Sequence, residues 1–330
     1  MKSITNNAAE LNCNICNTNF EFTTQYFTKS KFRRDLCPAC RAPVTHSKAE
    51  LEILEFVKTL TTNVICGNRS IISPLELDIF CPIENIAIEY CGLYWHGELQ
   101  GKDKNYHINK KIQCNLKNVK LITIFEDEWI HKKEIVKSRL EHLFKAHNNK
   151  IFARKCVIST IDNAIARKFC KMYHLQGTGS TNISIGLHYN NELISVMVFS
   201  KLSISKGRNS EINKWELNRF CNVPNISIVG GASRLLQYFI KIYNPIEILS
   251  YSDNRWSDGN VYGTIGFTFE KESPPTYWYV DKKYINRLHR FSLRKNKTDD
   301  QNLTEWENRQ LQGWDRIWDC GHKLWKWSKK

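Results

Sequence analysis

The sequence predicts an α/β protein built from a small metal-binding ribbon, a mixed-sheet core and a second α/β domain. Two CxxC pairs near the N-terminus are typical of a metal knuckle. A strand–strand–helix–strand pattern follows between residues 75 and 129, and strands again alternate with helices between 151 and 280. We therefore expect four segments: the knuckle at 1–45, the mixed-sheet core at 46–147, the second α/β domain at 148–280 and a basic, Trp-rich extension at 281–330.

Charge and composition restrict the function. The 330-residue chain has a formal net charge of +15, and 42% of it is hydrophobic, which is enough for sizeable cores. Such a charge is typical of proteins that bind nucleic acid, although a basic surface without that partner is the alternative. The first residues contain no apolar signal-peptide region, and no run of about 18 apolar residues predicts a membrane span. We expect a cytoplasmic protein, either associated with the nucleoid or encoded by a virus and made in its host's cytoplasm.

Four cysteines in two pairs predict a structural zinc site. Two turns that each present a thiolate pair can close a tetrahedron around Zn²⁺, and four thiolates leave no position for water. The alternatives are two disulfides or two accidental turns. The pairs are Cys13 with Cys16 and Cys37 with Cys40.

Two acids on neighbouring predicted strands suggest a second metal. Asp78 lies in the predicted strand 76–80 and Glu89 in the predicted strand 86–91, and the short segment between them predicts a hairpin. Both carboxylates can then face the same side, where they repel each other unless a cation lies between them. Oxygen ligands of this kind favour Mg²⁺, which lowers the pKa of a bound water. The alternative is two ordinary acids in a solvated sheet.

Further polar residues flank this hairpin. Glu50 lies on the apolar stripe of a predicted helix that begins near Ser47, so it either completes a capping box or points toward a metal. His96 follows the second strand, and His107 and Lys110 share one face of the next predicted helix. Histidine transfers protons near neutral pH, whereas packing and DNA contact are the alternatives for both histidines.

At these residues the sequence resembles the PD-(D/E)XK nuclease superfamily, and within it the phage homing endonucleases related to very short patch repair (Vsr) nucleases. The resemblance covers residues 47–140. It implies that DNA is cleaved with Mg²⁺, that Asp78 and Glu89 bind the metal, and that Glu50 orients the metal or a water.

The sequence departs from the superfamily at one position. Cys91 stands where the superfamily has its lysine, and a thiol cannot supply that positive charge. Under this resemblance, Lys110 or Lys111 reaches the same space from the helix, or His96 and His107 transfer the protons, as histidines do in Vsr-like enzymes.

The second α/β domain resembles the GNAT acyltransferases. Its predicted elements follow the order of that fold, in which a loop before a helix holds the pyrophosphate of acetyl-CoA. Gly230-Gly231-Ala232 is a weak version of that loop, and the segment 260–267 matches the part that closes the GNAT sheet. We expect the fold to serve DNA contact or target recognition rather than acyl transfer. In the extension we expect the tryptophans to pack onto this domain and residues 313–327 to form a hairpin.

The expected function is that of a metal-dependent DNA endonuclease of the site-specific homing type. Its cofactors would be structural Zn²⁺ and catalytic Mg²⁺, and its partner double-stranded DNA. One such core cuts one strand, so a double-strand cut needs a homodimer or a second event. Two alternatives stay open: a GNAT-type acyltransferase acting on nucleic acid or protein, and a DNA-binding protein without catalysis.

Overall fold

The chain contains two compact units, which are described separately. The computed structural model describes residues 8–12, 19–23, 47–146, 149–202 and 211–329. Unit 1 comprises Met1–Gly92 and Tyr106–Ile124, and unit 2 comprises Leu93–Asn105 and Phe125–Lys330. None of the helices in the described ranges is long and apolar enough to cross a membrane. The cytoplasmic location stays a prediction.

Unit 1 contains a two-stranded antiparallel ribbon and a four-stranded sheet. The sheet has the order β3-β4-β5-β6. In chain order the elements are β1 Ala8–Asn12, β2 Asn19–Thr23, α1 Lys48–Lys58, β3 Ile65–Asn68, β4 Leu77–Cys81, β5 Ile86–Cys91, α2 Tyr106–Leu116 and β6 Lys120–Phe125. The predicted strands and helix between residues 75 and 129 therefore form.

The hairpin of β4 and β5 has the register that the alternation predicts. Ile79 pairs with Ile88, so Asp78 and Glu89 are the next partners along the two antiparallel strands. Cys114 of α2 packs in the same buried cluster as residues of β4 and β5, because α2 covers this face of the sheet. The amphipathic helices thus bury the sheet face that carries the two acids.

Unit 2 contains a seven-stranded mixed sheet, two smaller sheets and five helices among its described residues. Its strands are β7 Lys150–Phe152, β8 Val157–Thr160, β9 Ile183–Tyr189, β10 Glu192–Lys201, β11 Lys214–Asn222, β12 Ser227–Val229, β13 Glu247–Asp253, β14 Thr268–Ser273, β15 Tyr277–Val280, β16 Arg287–His289, β17 Asp315–Trp318 and β18 His322–Ser328. Its helices are α3 Glu126–Leu143, α4 Asn163–Tyr173, α5 Gly231–Tyr243, α6 Asn260–Thr264 and α7 Glu305–Leu311.

The large sheet lies between two helices. Its strand order is β8-β9-β10-β11-β13-β18-β14, and only β11 and β13 are parallel among these described strands. Alternation along β10 sends Val196 and Val198 toward α4, whereas Phe199 stacks on Phe239 of α5 with ring centroids 3.6 Å apart. The register with β11 shifts at this point, because Val198 pairs with Arg219 and Phe199 with Leu217, so that Asn218 is an extra residue in β11.

The predicted hairpin at residues 313–327 is wrong. β17 pairs with β15 in a separate three-stranded sheet, whereas β18 lies between β13 and β14 in the large sheet. Trp325 and Trp327, two residues apart, pack against the core of unit 2. The expected packing of these two tryptophans is therefore confirmed, and they pack from a strand inside the large sheet. Residues 274–321 form an insertion between β14 and β18.

Candidate active site

The parallel strands β11 and β13 pair over only part of their length. The ladder ends at the Cα pair of Leu217 and Ser250, although the strands continue to Asn222 and Asp253. Beyond that pair, β11 stays bonded to β10 and β13 stays bonded to β18. The two strands therefore diverge, and within the described residues their facing edges border a wedge, which we call the strand opening.

The hydroxyl of Tyr262 lies at the vertex of the strand opening. Ser250 Oγ donates to Leu217 O at 2.8 Å and lies 2.9 Å from Tyr262 Oη, which is also 3.4 Å from Tyr251 O. The phenol donates to Tyr251 O, and it accepts from Ser250 Oγ when that hydroxyl turns away from Leu217 O. Burial raises the pKa of Tyr262, although the Ser250 hydrogen bond and the charge of Arg219 act against this shift. Tyr262 consequently keeps its proton at neutral pH.

A glycine fixes the position of this tyrosine. α6 begins after Gly259, whose φ is +85°, a left-handed conformation that side chains disfavour. A Cβ at this position would lie 2.1 Å from Cζ2 of Trp325. Because glycine lets the chain approach the indole, Tyr262 stacks on Trp325 with ring centroids 5.5 Å apart.

Helix α5 begins without a capping side chain. Its N-cap is Gly230, which has a φ of +76° and makes no side-chain hydrogen bond to the helix. A Cβ at Gly231 would lie 2.9 Å from Cγ2 of Ile228, so the first turn is packed closely at its backbone. The first amides of the helix and its positive dipole end are thus suited to an anion.

Basic side chains accompany the start of α5. The parallel pairing of β12 with β7 places Val229 beside Phe152, next to the 3₁₀ turn Ala153–Lys155. Arg154 and Lys155 are exposed in this turn. Arg234 of α5 donates a hydrogen bond to the carbonyl of Ala153, which ties the helix to the turn. The positive side chains of Arg154 and Lys155 therefore lie on the turn that is hydrogen-bonded to the first turns of α5.

Arg219 links β11 to the loop that follows α4. Its Nε donates to Gly177 O at 2.9 Å and its Nη2 donates to Thr178 O at 3.1 Å. Burial, followed by the charge of Arg219, holds the pKa of His174 well below its usual value. His174 is therefore neutral, and its Nδ1 accepts from the amide of Gln176 at 3.1 Å.

A buried ion-pair network supports the end of β13. Arg255 bonds to Asp253 at 2.8 Å and to Glu128 at 3.0 Å, and Arg287 bonds to Glu128 at 2.9 Å and to Asp127 at 2.7 Å. Burial alone would raise the pKa of Glu128, but the charges of Arg255 and Arg287 lower it. Carboxylates and guanidiniums thus offset one another's charge here, which indicates a structural role.

The structure brings Asp78, Glu89 and Lys110 together in unit 1. Glu89 and Lys110 are both only 4% exposed, and Lys110 Nζ forms an ion pair with Glu89 Oε1. Asp78 Oδ2 accepts from the amide of Tyr90 at 2.8 Å. Burial and then the Glu89 carboxylate raise the pKa of Asp78 well above its usual value. An internal ammonium group therefore balances the charge that was expected to need Mg²⁺.

The other predicted catalytic residues lie in different surroundings. Glu50 completes the capping box of α1: it accepts from the Ser47 amide at 3.0 Å, and its own amide donates to Ser47 Oγ at 3.1 Å. The capping interpretation of Glu50 is thus confirmed. His107 is buried, with its Nε2 3.6 Å from Cys91 Sγ, while His96 belongs to unit 2.

The predicted zinc ligands lie outside the described residues. This applies to Cys13, Cys16, Cys37 and Cys40.

A protein-family model matches the second half of the chain. Residues 155–318 match the model of the Mom protein family. A comparison with curated proteins finds no match.

Similar solved structures are acetyltransferases. PaiA N-acetyltransferase from Thermoplasma acidophilum, in complex with coenzyme A, is 23% identical, with 26% of this chain and 52% of that chain covered and a TM-score of 0.22. The ribosomal-protein-S18-alanine N-acetyltransferase from Escherichia coli is 10% identical, with 52% and 93% covered and a TM-score of 0.30. A GNAT family acetyltransferase from Elizabethkingia anophelis, with acetyl-CoA bound, is 12% identical, with 53% and 99% covered and a TM-score of 0.30. The chain thus spans about half the length of the first of these proteins.

These findings correct several predictions. The PD-(D/E)XK, Vsr-like homing endonuclease prediction is wrong, because the matches are to a Mom family model and to acetyltransferases. Zn²⁺ and Mg²⁺ as cofactors are contradicted as well, since the cofactors in these structures are coenzyme A and acetyl-CoA. The expected GNAT-like fold of the second domain is confirmed.

Sequence reasoning missed the residues at the strand opening. Tyr262 lay inside the segment 260–267 that was assigned only to closing the sheet. Ser250 and Arg219 lay within predicted strands, and only the divergence of β11 and β13 distinguishes them from their neighbours. The usable signal was the tyrosine between Asn260 and the Gly-Phe pair at the start of β14.

Proposed function

We propose that unit 2 is a GNAT-type acyltransferase that takes an acyl group from acyl-CoA and transfers it to nucleic acid. The strand opening, with a protonated tyrosine at its vertex, carries this proposal, together with the uncapped start of α5, the helix that follows β11 and β12 in the chain. The catalytic roles that accompanied the nuclease prediction are not part of it.

The residues at the opening fit coenzyme A. Its pyrophosphate is an anion, and the first amides of α5 after Gly230 are suited to bind one. Arg154 and Lys155 would add charge for the phosphates. Beyond Leu217 and Ser250, the diverging edges of β11 and β13 would accept an extended amide-containing arm by backbone hydrogen bonds. When bound, this cofactor supplies an activated acyl thioester.

The chain's own residues would hold and release a proton. Tyr262 Oη is protonated at neutral pH because burial raises its pKa, so it is a general acid at the vertex. Ser250 Oγ fixes the direction of the phenol at 2.9 Å. Arg219 holds the loop at Gly177 and Thr178, which would border the acceptor side of the opening. The hydrophobic cluster around α5 would keep water from the reacting groups.

Nucleic acid is the acceptor class that charge favours. The formal net charge of +15 attracts a polyanion. The Mom family, whose model matches residues 155–318, is associated with phage DNA modification. We therefore propose DNA, including double-stranded DNA, as the partner. A homodimer stays a prediction.

Two measurements on the full chain test this proposal. Calorimetric titration with acetyl-CoA should give saturable binding that free adenosine does not reproduce. Incubation with radiolabelled acetyl-CoA should then transfer label to DNA rather than to a protein such as casein. Failure to bind acetyl-CoA would overturn the proposal as a whole. Label found only in protein would overturn the acceptor.

A further inference from the structure

The insertion between β14 and β18 presents a row of aromatic rings. The centroids of Trp278 and His289 lie 5.0 Å apart, and those of His289 and Phe291 lie 4.9 Å apart. His289 is exposed, and Phe291 exposes 38% of its surface. An aromatic ring exposed to this extent beside others is a surface on which a planar group can stack.

Two guanidinium groups flank the outermost ring. Arg294 lies 4.0 Å and Arg290 5.0 Å from the centroid of Phe291, and Arg290 also lies 5.6 Å from that of Tyr277. These cation–π contacts hold the positive charges beside the ring without neutralising them. We call Trp278, His289, Arg290, Phe291 and Arg294 the aromatic platform.

The other arginines of the insertion are neutralised. Arg287 pairs with Glu128 at 2.9 Å, Arg309 with Asp299 at 2.6 Å and Arg316 with Glu98 at 2.6 Å. Among the residues that the structure describes, Arg290 and Arg294 form no salt bridge. The insertion therefore contains arginines held in ion pairs and two others, the exposed Arg294 and the half-buried Arg290, whose charges remain available to an anion.

The backbone holds the platform in place. Trp278 pairs with His289 across the antiparallel strands β15 and β16. The amide of Phe291 donates to His289 Nδ1 at 3.3 Å, which orients the imidazole at the start of a 3₁₀ turn. A surface built in this way is ordered before a ligand arrives, so binding costs little conformational entropy.

We propose that the aromatic platform docks an unpaired nucleotide of the nucleic-acid acceptor, with its base on Phe291 and phosphates against Arg290 and Arg294. This inference rests on the proposed transfer to nucleic acid. A base inside a duplex is stacked on both faces, so the platform selects a single strand or a locally opened site. An acidic peptide would use the two charges but leave the rings unused.

Binding of labelled oligonucleotides to the full chain tests the platform. Fluorescence anisotropy would compare a single-stranded 12-mer with a duplex, in several salt concentrations. Stacking of one base contributes about 1–3 kcal/mol, so Phe291→Ala should weaken single-strand binding by about 5- to 150-fold. Phe291→Trp should retain it. Leu311→Ala, at a 77% exposed leucine in the same insertion, should change nothing.

The two arginines have a different expected effect. Arg290→Ala with Arg294→Ala should reduce the slope of log K against log salt by about 1.4, since each phosphate contact on a single strand contributes about 0.7. Phe291→Ala should leave this slope unchanged. Unchanged single-strand affinity in Phe291→Ala, or an equal loss on duplex, would overturn the platform.

Acetyl-CoA titration of the same variants separates the two proposals. If the wild type binds acetyl-CoA and Phe291→Ala loses no oligonucleotide affinity, the platform fails and the acyltransferase stands. If single strands bind through Phe291 but acetyl-CoA does not bind, the platform stands and the acyltransferase fails. Absence of both would overturn both.

Discussion

The polar clusters of the two units differ in how their charge is balanced. In unit 1, the carboxylate of Glu89 is paired with Lys110 inside a core that leaves each only 4% exposed. In unit 2, β11 and β13 diverge beyond Leu217 and Ser250, the neutral phenol of Tyr262 lies where they part, and α5 begins without a capping side chain. The first cluster carries its own counter-ion, whereas the second has hydrogen-bonding capacity that suits a ligand.

This difference distinguishes a cluster that only resembles a metal site from one that could bind a ligand. Two acids that converge on a sheet face attract attention because such pairs often bind metals, but an internal lysine serves the same electrostatic purpose. The strand opening contains no acid pair at its vertex. It is identified by the divergence of β11 from β13, a property of hydrogen bonding rather than of residue type.

The largest expected effect concerns the internal counter-ion. Lys110→Met should destabilise unit 1 by about 3–5 kcal/mol, because it leaves Glu89 buried without its partner. Urea unfolding of the full chain measures this loss. Lys117→Met, at an exposed lysine just beyond α2, is the matched control and should have little effect. Adding Glu89→Leu to Lys110→Met should recover most of the stability. If the double variant is no more stable than Lys110→Met, the unpaired charge of Glu89 is not the cause of the lost stability.

Removal of the Tyr262 hydroxyl should change the activity proposed for unit 2 and leave unit 1 unaffected. Tyr262→Phe should slow acyl transfer by about 10²-fold, since it deletes the proposed general acid, while acetyl-CoA affinity should stay within a factor of about two. Tyr243→Phe, at the far end of α5, should retain full activity. Equal activity in both variants would argue against proton transfer by Tyr262.

The basic turn Ala153–Lys155 should have a smaller effect, which is on the affinity for acetyl-CoA. Arg154→Ala combined with Lys155→Ala should weaken acetyl-CoA binding about tenfold, because two exposed charge contacts contribute about 0.5–1 kcal/mol each. Calorimetric titration with acetyl-CoA measures this loss. The control is the double variant Lys168→Ala with Lys171→Ala, which removes two exposed lysines of α4. A similar loss in both double variants would indicate general electrostatics rather than phosphate contacts.

The smallest expected effect is a pH-dependent gain in the stability of unit 1 when Asp78 is replaced by asparagine. Burial and Glu89 raise the pKa of Asp78, so the folded state binds more protons than the unfolded state above the usual aspartate pKa of about 3.9. Stability therefore falls as the pH rises through this window. Asp78→Asn keeps an acceptor for the Tyr90 amide and should stabilise the protein by about 1 kcal/mol at pH 8. Thermal melts should show the gain shrinking toward pH 4.5; a gain independent of pH would contradict the assigned cause.

Local patterns in the sequence determined several elements of this protein. Alternation placed Asp78 and Glu89 opposite each other in β4 and β5, and helical spacing placed Lys110 on the buried face of α2. Ser47 and Glu50 formed the capping box that their spacing favours. The strand and helix order of residues 151–280 predicted the GNAT-like fold. These features depend on contacts within a few residues or across one hairpin.

Only the tertiary structure decided where a ligand can bind. Lys110 meets Glu89 across 21 positions, and Tyr262 meets Ser250 across 12, through packing that no local period encodes. After the insertion, β18 enters the large sheet between β13 and the edge strand β14. Whether charge is balanced internally or left for a partner depends on such long-range contacts, since burial and charge separation are set by the whole fold.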